Sequence, residues 1–190
     1  MDGDAAALHD GPLQAAYRDC EGLPADLDAR VIGARVLELP QHAELLEGGA
    51  AIDYLFRVAE KRRKGRRVLG MCIMPAVQGD LADLFDHLLT ATLGRFPDFL
   101  IVLDWTYWCE ATLLQREILV FHELKHARQA TDRLGAPRFN REGMPVWTTV
   151  DHDVSVFHDE ARRYGAHDTD LARLVEALHD HDDRDGGATD

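Results

Sequence analysis

Phe121-His122-Glu123-Leu124-Lys125-His126-Ala127 is the stretch around which the chain is organised. It reads H-E-x-x-H, in a run whose apolar spacing predicts a helix. Residues four apart stand one turn above each other on the same helical face, so the imidazoles of His122 and His126 can converge on one metal ion. Glu123, one residue round, can then reach a water on that ion and act as general base. Zinc suits two neutral imidazoles plus a third nitrogen or oxygen ligand, with the fourth position left to water. The bland alternative is a solvated His/Glu face on an amphipathic helix. A delimited helix, apolar residues on its other faces and a second His-rich segment downstream favour the metal.

The helix has readable ends. Thr112 followed three residues later by Gln115 predicts a capping box, and Gly135 with Pro137 predicts the stop. Leu114, Ile118, Phe121 and Leu124 form the expected buried stripe, with His122 and His126 beside it.

Upstream, Leu27, Val31, Ala34 and Leu37 have helical spacing, ended by Pro40 and interrupted only by Gly33. Ala51 to Arg57 and Val68 to Met74 read as strands. Together they predict a hairpin whose tip carries the basic cluster Lys61-Arg-Arg-Lys-Gly-Arg-Arg67. Asp80 to Leu93 predicts an amphipathic helix with Leu81, Leu84, Phe85, Leu88 and Leu89 on its apolar side and Gly94 closing it. Asp98 to Asp104 is a dense apolar strand, and Trp105 to Trp108 link it to the central helix. The expected class is α+β, with a small, mostly antiparallel, three-stranded sheet packed against helices.

Downstream, residues 136–150 read as a loop with an extended piece at 144–150. A helix is expected over 151–165, and a short last one over 169–178. As organisation, 1–24 is expected to be a flexible arm, 25–178 a single domain and 179–190 a disordered acidic tail. A third metal ligand must come from the downstream segment. His152 at the helix start is the first choice, with Asp153 as a possible acceptor for its ring. His158 and Glu160 are the alternatives, and Asp151 suits a capping role.

Composition bounds the partners. The 190 residues carry 34 acidic against 21 basic side chains, a net charge of −13 that argues against nucleic-acid binding by the general surface. The basic tip at 61–67 reads as a solvated turn that discourages edge aggregation, or else as a contact for an acidic partner or nucleic acid. Cys20, Cys72 and Cys109 are odd in number and in no C-x-x-C arrangement, which argues against a disulfide framework or thiolate metal site. No apolar run reaches the length of a membrane span and the start lacks a signal-peptide pattern, so a reducing, cytoplasmic setting is expected.

From these residues the sequence resembles the phage metallopeptidase family over roughly residues 27–165. The resemblance rests on Ile52-Asp-Tyr-Leu-Phe-Arg57, on Lys64-Gly-Arg-Arg-Val-Leu-Gly70, and on the apolar strand before the central helix. It rests further on Gln115-Arg-Glu117 leading into His122–His126, on His152-Asp-Val154, Phe157 and Arg163-Tyr-Gly165. It implies a zincin-like α+β fold and zinc peptidase activity. Two departures stand out: Ser155 and Val156 occupy positions where the family usually has an acidic pair, and Lys125 stands where it commonly has Cys.

The expected function is therefore zinc-dependent hydrolysis of peptide bonds, with His122, His126 and His152 on zinc and Glu123 as base. A peptide or protein substrate would pair along the strand at 98–104. Arg162, Arg163, Tyr107 and Tyr164 remain open as oxyanion stabilisers. The alternatives are a catalytically silent metal-binding regulatory or interaction module of phage or prophage origin, and a metal-free fold.

Overall fold

The computed structural model describes residues 16–151, 157–165 and 172. The chain divides into two compact units, Met1–Val150 and Asp151–Asp190. In the first, Tyr17–Arg18 is β1, Ala29–Leu37 is α1, and a 3-10 turn at Pro40–His42 leads into α2 at Ala43–Glu47. Ile52–Arg57 is β2, Arg62–Arg63 β3, Arg66–Arg67 β4 and Gly70–Ile73 β5. Then come α3 at Ala82–Leu93, β6 at Phe99–Asp104, α4 at Trp105–Glu110 and α5 at Leu113–His126. β7 at Ala127–Gln129 and β8 at Trp147–Thr149 complete the unit. Within the second unit, His158–Tyr164 is α6, closed by Gly165.

The main sheet has four strands in the order β1-β2-β6-β5, not the three expected. It is mixed: β2 runs parallel to β6, while β1 and β5 run antiparallel to their neighbours. The expected hairpin of β2 with β5 does not form, because β6 lies between them. The physical reason is legible in β6 itself. Phe99-Leu-Ile-Val-Leu103 is apolar at every position and buried at every position, which suits a strand covered on both faces. Its central position also rules it out as an open edge for a substrate; among the described residues the edges are β1 and β5.

Asp98 and Asp104 clamp the two ends of β6. The carboxylate of Asp98 accepts from the Ala51 N–H at 2.8 Å, fixing the start of β2. Asp104 is 1 % exposed; it accepts from Nε and Nη2 of Arg67 and caps α4 through the Tyr107 N–H. The basic cluster is thus partly neutralised by the chain's own acids: Arg67 faces Asp104, as Arg57 of β2 does, and Arg62 pairs with Glu60. It sits on the small β3–β4 hairpin, a solvated turn with Lys64 and Gly65 both at positive φ.

Trp105–Trp108, expected as a linker, forms the first part of α4. Trp108 is fully buried, donates to the Leu27 carbonyl and packs on Phe56. Gly33, a weak point in a helix on propensity alone, has a reason here: a Cβ would overlap the Tyr54 phenol of β2 packed beneath α1. Of the arm expected over 1–24, Tyr17 and Arg18 pair with Arg57 and Phe56 and Cys20 is buried; residues 1–15 lie outside the described residues. So do the expected last helix, apart from residue 172, and the acidic tail. α3 forms where expected and Gly94 closes it in a left-handed conformation, yet it has no buried residue, and Leu81, Leu84 and Leu88 are all at least half exposed.

Candidate metal centre

The helix α5 begins as expected. The Thr112 hydroxyl accepts from the Gln115 N–H and the Gln115 side chain accepts in turn from the Thr112 N–H. Its buried face is set differently from the expected stripe: Leu119, Val120, Phe121 and Leu124 are buried, Ile118 is half-buried, and Leu114 is 57 % exposed. Glu123 and Lys125 are buried with them, while His122 and His126 are intermediate.

The helix also ends earlier than expected, at His126. Ala127–Gln129 turns straight into β7 and pairs with β8, so a tertiary partner overrides local helix propensity. Gly135 and Pro137 belong instead to the excursion between β7 and β8. There Asp132 and Asn140 hold two tight turns by accepting from the backbone N–H groups of Leu134, Ala136, Glu142 and Met144.

The early stop serves the site. Val150, next after β8, donates its N–H to the His126 carbonyl at 2.8 Å, and its own carbonyl oxygen lies 2.6 Å from His126 Nδ1. A carbonyl can only accept, so Nδ1 carries a proton, and in the neutral ring the lone pair is then on Nε2. One turn back, the His122 ring stands with its centroid 5.2 Å from that of His126, at 75°. Two imidazoles one helical turn apart, one fixed in the tautomer a ligand needs, fit a divalent metal such as zinc.

Glu123 is 4 % exposed and lies against the edge strand β5. A Cβ built on Gly70 would stand 2.7 Å from its Cδ and 2.8 Å from its Cγ, and closer still to Oε1. Cys72 is on the same face of β5: burial first, then the Glu123 charge, pushes its thiol up to about 12.

His152 and Asp153 lie outside the described residues. His158 is the first residue of α6 and Glu160 is buried in that helix, in the second unit. Asp151 is exposed. Among the described residues, no group of three or more His, Cys, Asp or Glu side chains forms a metal cluster. Of the open oxyanion candidates, Tyr107 is half-buried on α4, with burial raising its phenol, and Arg162 and Arg163 are exposed on α6.

Over residues 24–179 the sequence matches the family described as putative phage metallopeptidase. The chain belongs to this family. No curated protein and no solved structure matches it. Membership in the phage metallopeptidase family implies a metal cofactor, and the match spans both imidazoles of α5 and the His152 segment. Among the described residues, no helix of this chain is long and apolar enough to cross a membrane. Two site features escaped the reading of its sequence, Val150 and the contact of Gly70 with Glu123. Neither has a motif, although a glycine inside the apolar run Val68–Ile73, with no turn to serve, was a signal.

Proposed function

We propose that this protein is a zinc-dependent peptidase of zincin-like arrangement, with His122, His126 and His152 as ligands and Glu123 as general base. The observation that carries it is the burial of Glu123 between the two-imidazole helix and the open strand β5. A structural metal site has no use for a buried carboxylate beside two ligands, and it usually fills its fourth position with protein.

When bound, zinc supplies an acidified water and polarises the scissile carbonyl. Glu123 would accept the proton of the attacking water, and its burial against β5 limits competition from bulk solvent. His152 is the third ligand in this reading.

A peptide substrate adds to β5. The Asp104 N–H donates to the Leu69 carbonyl, and Gly70 and Cys72 stand opposite Leu103 and Ile101. In antiparallel pairing that phase turns the backbone groups of Gly70 and Cys72 away from β6, toward the open side. Cys20, Cys72 and Cys109 stand as free thiols, which suits a cytoplasmic setting.

The test is Glu123→Gln with labelled casein as substrate. Zinc content stays at the parent level while cleavage falls by about 10²–10⁴-fold. Cleavage at the parent rate removes Glu123 from this role.

A further inference from the structure

Gly70 is unlike most glycines among the described residues. Gly22, Gly49, Gly65, Gly79, Gly94, Gly135, Gly143 and Gly165 all adopt positive φ, where glycine is favoured; Gly70 does not. It sits at the start of an edge strand between Leu69 and Met71, where a glycine weakens the strand and contributes no packing. Conformation therefore does not explain it. Space does: the volume a Cβ would fill is taken by the Glu123 side chain, with Cγ, Cδ and Oε1 all inside contact distance. Glu123 reaches that place from α5, which packs directly on β5.

We propose that Gly70 is a positioning residue for the general base: the bare backbone of β5 is the surface against which the Glu123 carboxylate is set. The inference rests on the peptidase reading. It adds that a single methyl group at position 70 moves the carboxylate without touching either imidazole. Neither His122 nor His126 is among the atoms nearest that position, and the His126 ring is held separately by Val150. Position 70 is also one of the two β5 residues whose backbone faces the open edge, so the same glycine bounds the base on one side and the substrate path on the other.

The experiment uses six proteins, each the full chain: the parent, Glu123→Ala and Glu123→Asp, each with and without Gly70→Ala. Each is loaded with cobalt(II), and its visible spectrum and thermal midpoint are recorded. Gly70→Ala keeps one cobalt per chain, shifts the visible band and lowers the midpoint relative to the parent. Added to Glu123→Ala, the same substitution does neither. A third background, Glu123→Asp, is one methylene shorter, and there Gly70→Ala costs less midpoint than in the parent.

A band shift or midpoint loss of equal size with and without Glu123 overturns the proposal and leaves the metal reading standing. A parent that takes up no cobalt overturns the reading itself and the proposal with it. If Gly70→Ala does not fold, a folded double variant with Glu123→Ala supports the proposal and an unfolded one overturns it.

Discussion

Nδ1 of His126 and the carbonyl oxygen of Val150 lie 2.6 Å apart, and the backbone N–H of Val150 donates back to the His126 carbonyl. The last residue of α5 is thus held twice by the chain that leaves β8. Outer partners of this kind commonly govern metal affinity by about 10–100-fold. Val150→Pro removes the N–H and pins φ, so zinc affinity measured against a chelating dye falls within that range. Parent-level affinity would mean that Val150 does not orient the ring.

Asp104 joins β6, α4 and two arginines. Burial, the largest single influence, pushes its carboxyl up, but the Arg67 hydrogen bonds, the Tyr107 N–H and the charges of Arg67 and Arg57 outweigh it and hold the group below the usual carboxylate range. A depressed carboxyl contributes stability that is complete above its unfolded value, about 4, and lost as pH falls through its folded value. Asp104→Asn keeps a capping side chain yet loses the charge. It costs roughly 2–3 kcal/mol at pH 7, less than the 3–5 of a fully buried pair because Arg67 is partly exposed. Urea midpoints of parent and variant converge as pH drops from 5 to 2. A constant gap would contradict this.

Gly33→Ala provides a check on the α1–β2 packing. On an exposed helix face the change would stabilise by about 1 kcal/mol. Here the added methyl overlaps the buried Tyr54 phenol, so the variant loses roughly 1–3 kcal/mol by chemical denaturation. A gain in stability would place Tyr54 elsewhere.

The three thiols separate by environment. Burial, the largest influence on each, pushes Cys20 and Cys72 up to about 12, while Cys109 is exposed. At pH 8 a thiol of that acidity holds almost no thiolate, so a thiol reagent labels Cys109 first and the other two only on unfolding. Rapid labelling of two or three thiols in the native protein would contradict these placements.

What could be read from the residues was what local periodicity and capping chemistry control. The Thr112–Gln115 box, the strands over 52–57 and 99–104, the closure of α3 at Gly94 and the His122–His126 pair all follow from neighbours within four residues. What could not be read depends on partners far along the chain. The end of α5 at His126 is imposed by β8, more than twenty residues away. The place of β6 between β2 and β5 is a matter of which strand is buried on both faces. Gly70 needs its space for a carboxylate from another element, and no local pattern records such a neighbour. The apolar stripe of α5 was misread for a related reason: Leu114 lies in the first turn and stays exposed, while Phe121 packs on the ring of His42, some eighty residues back in the chain.

The most direct measurement is the zinc content of the purified protein by elemental analysis, beside that of His122→Ala. One zinc per chain in the parent and none in the variant is the predicted result. A metal-free parent, or zinc retained in full after loss of the His122 ring, would contradict it.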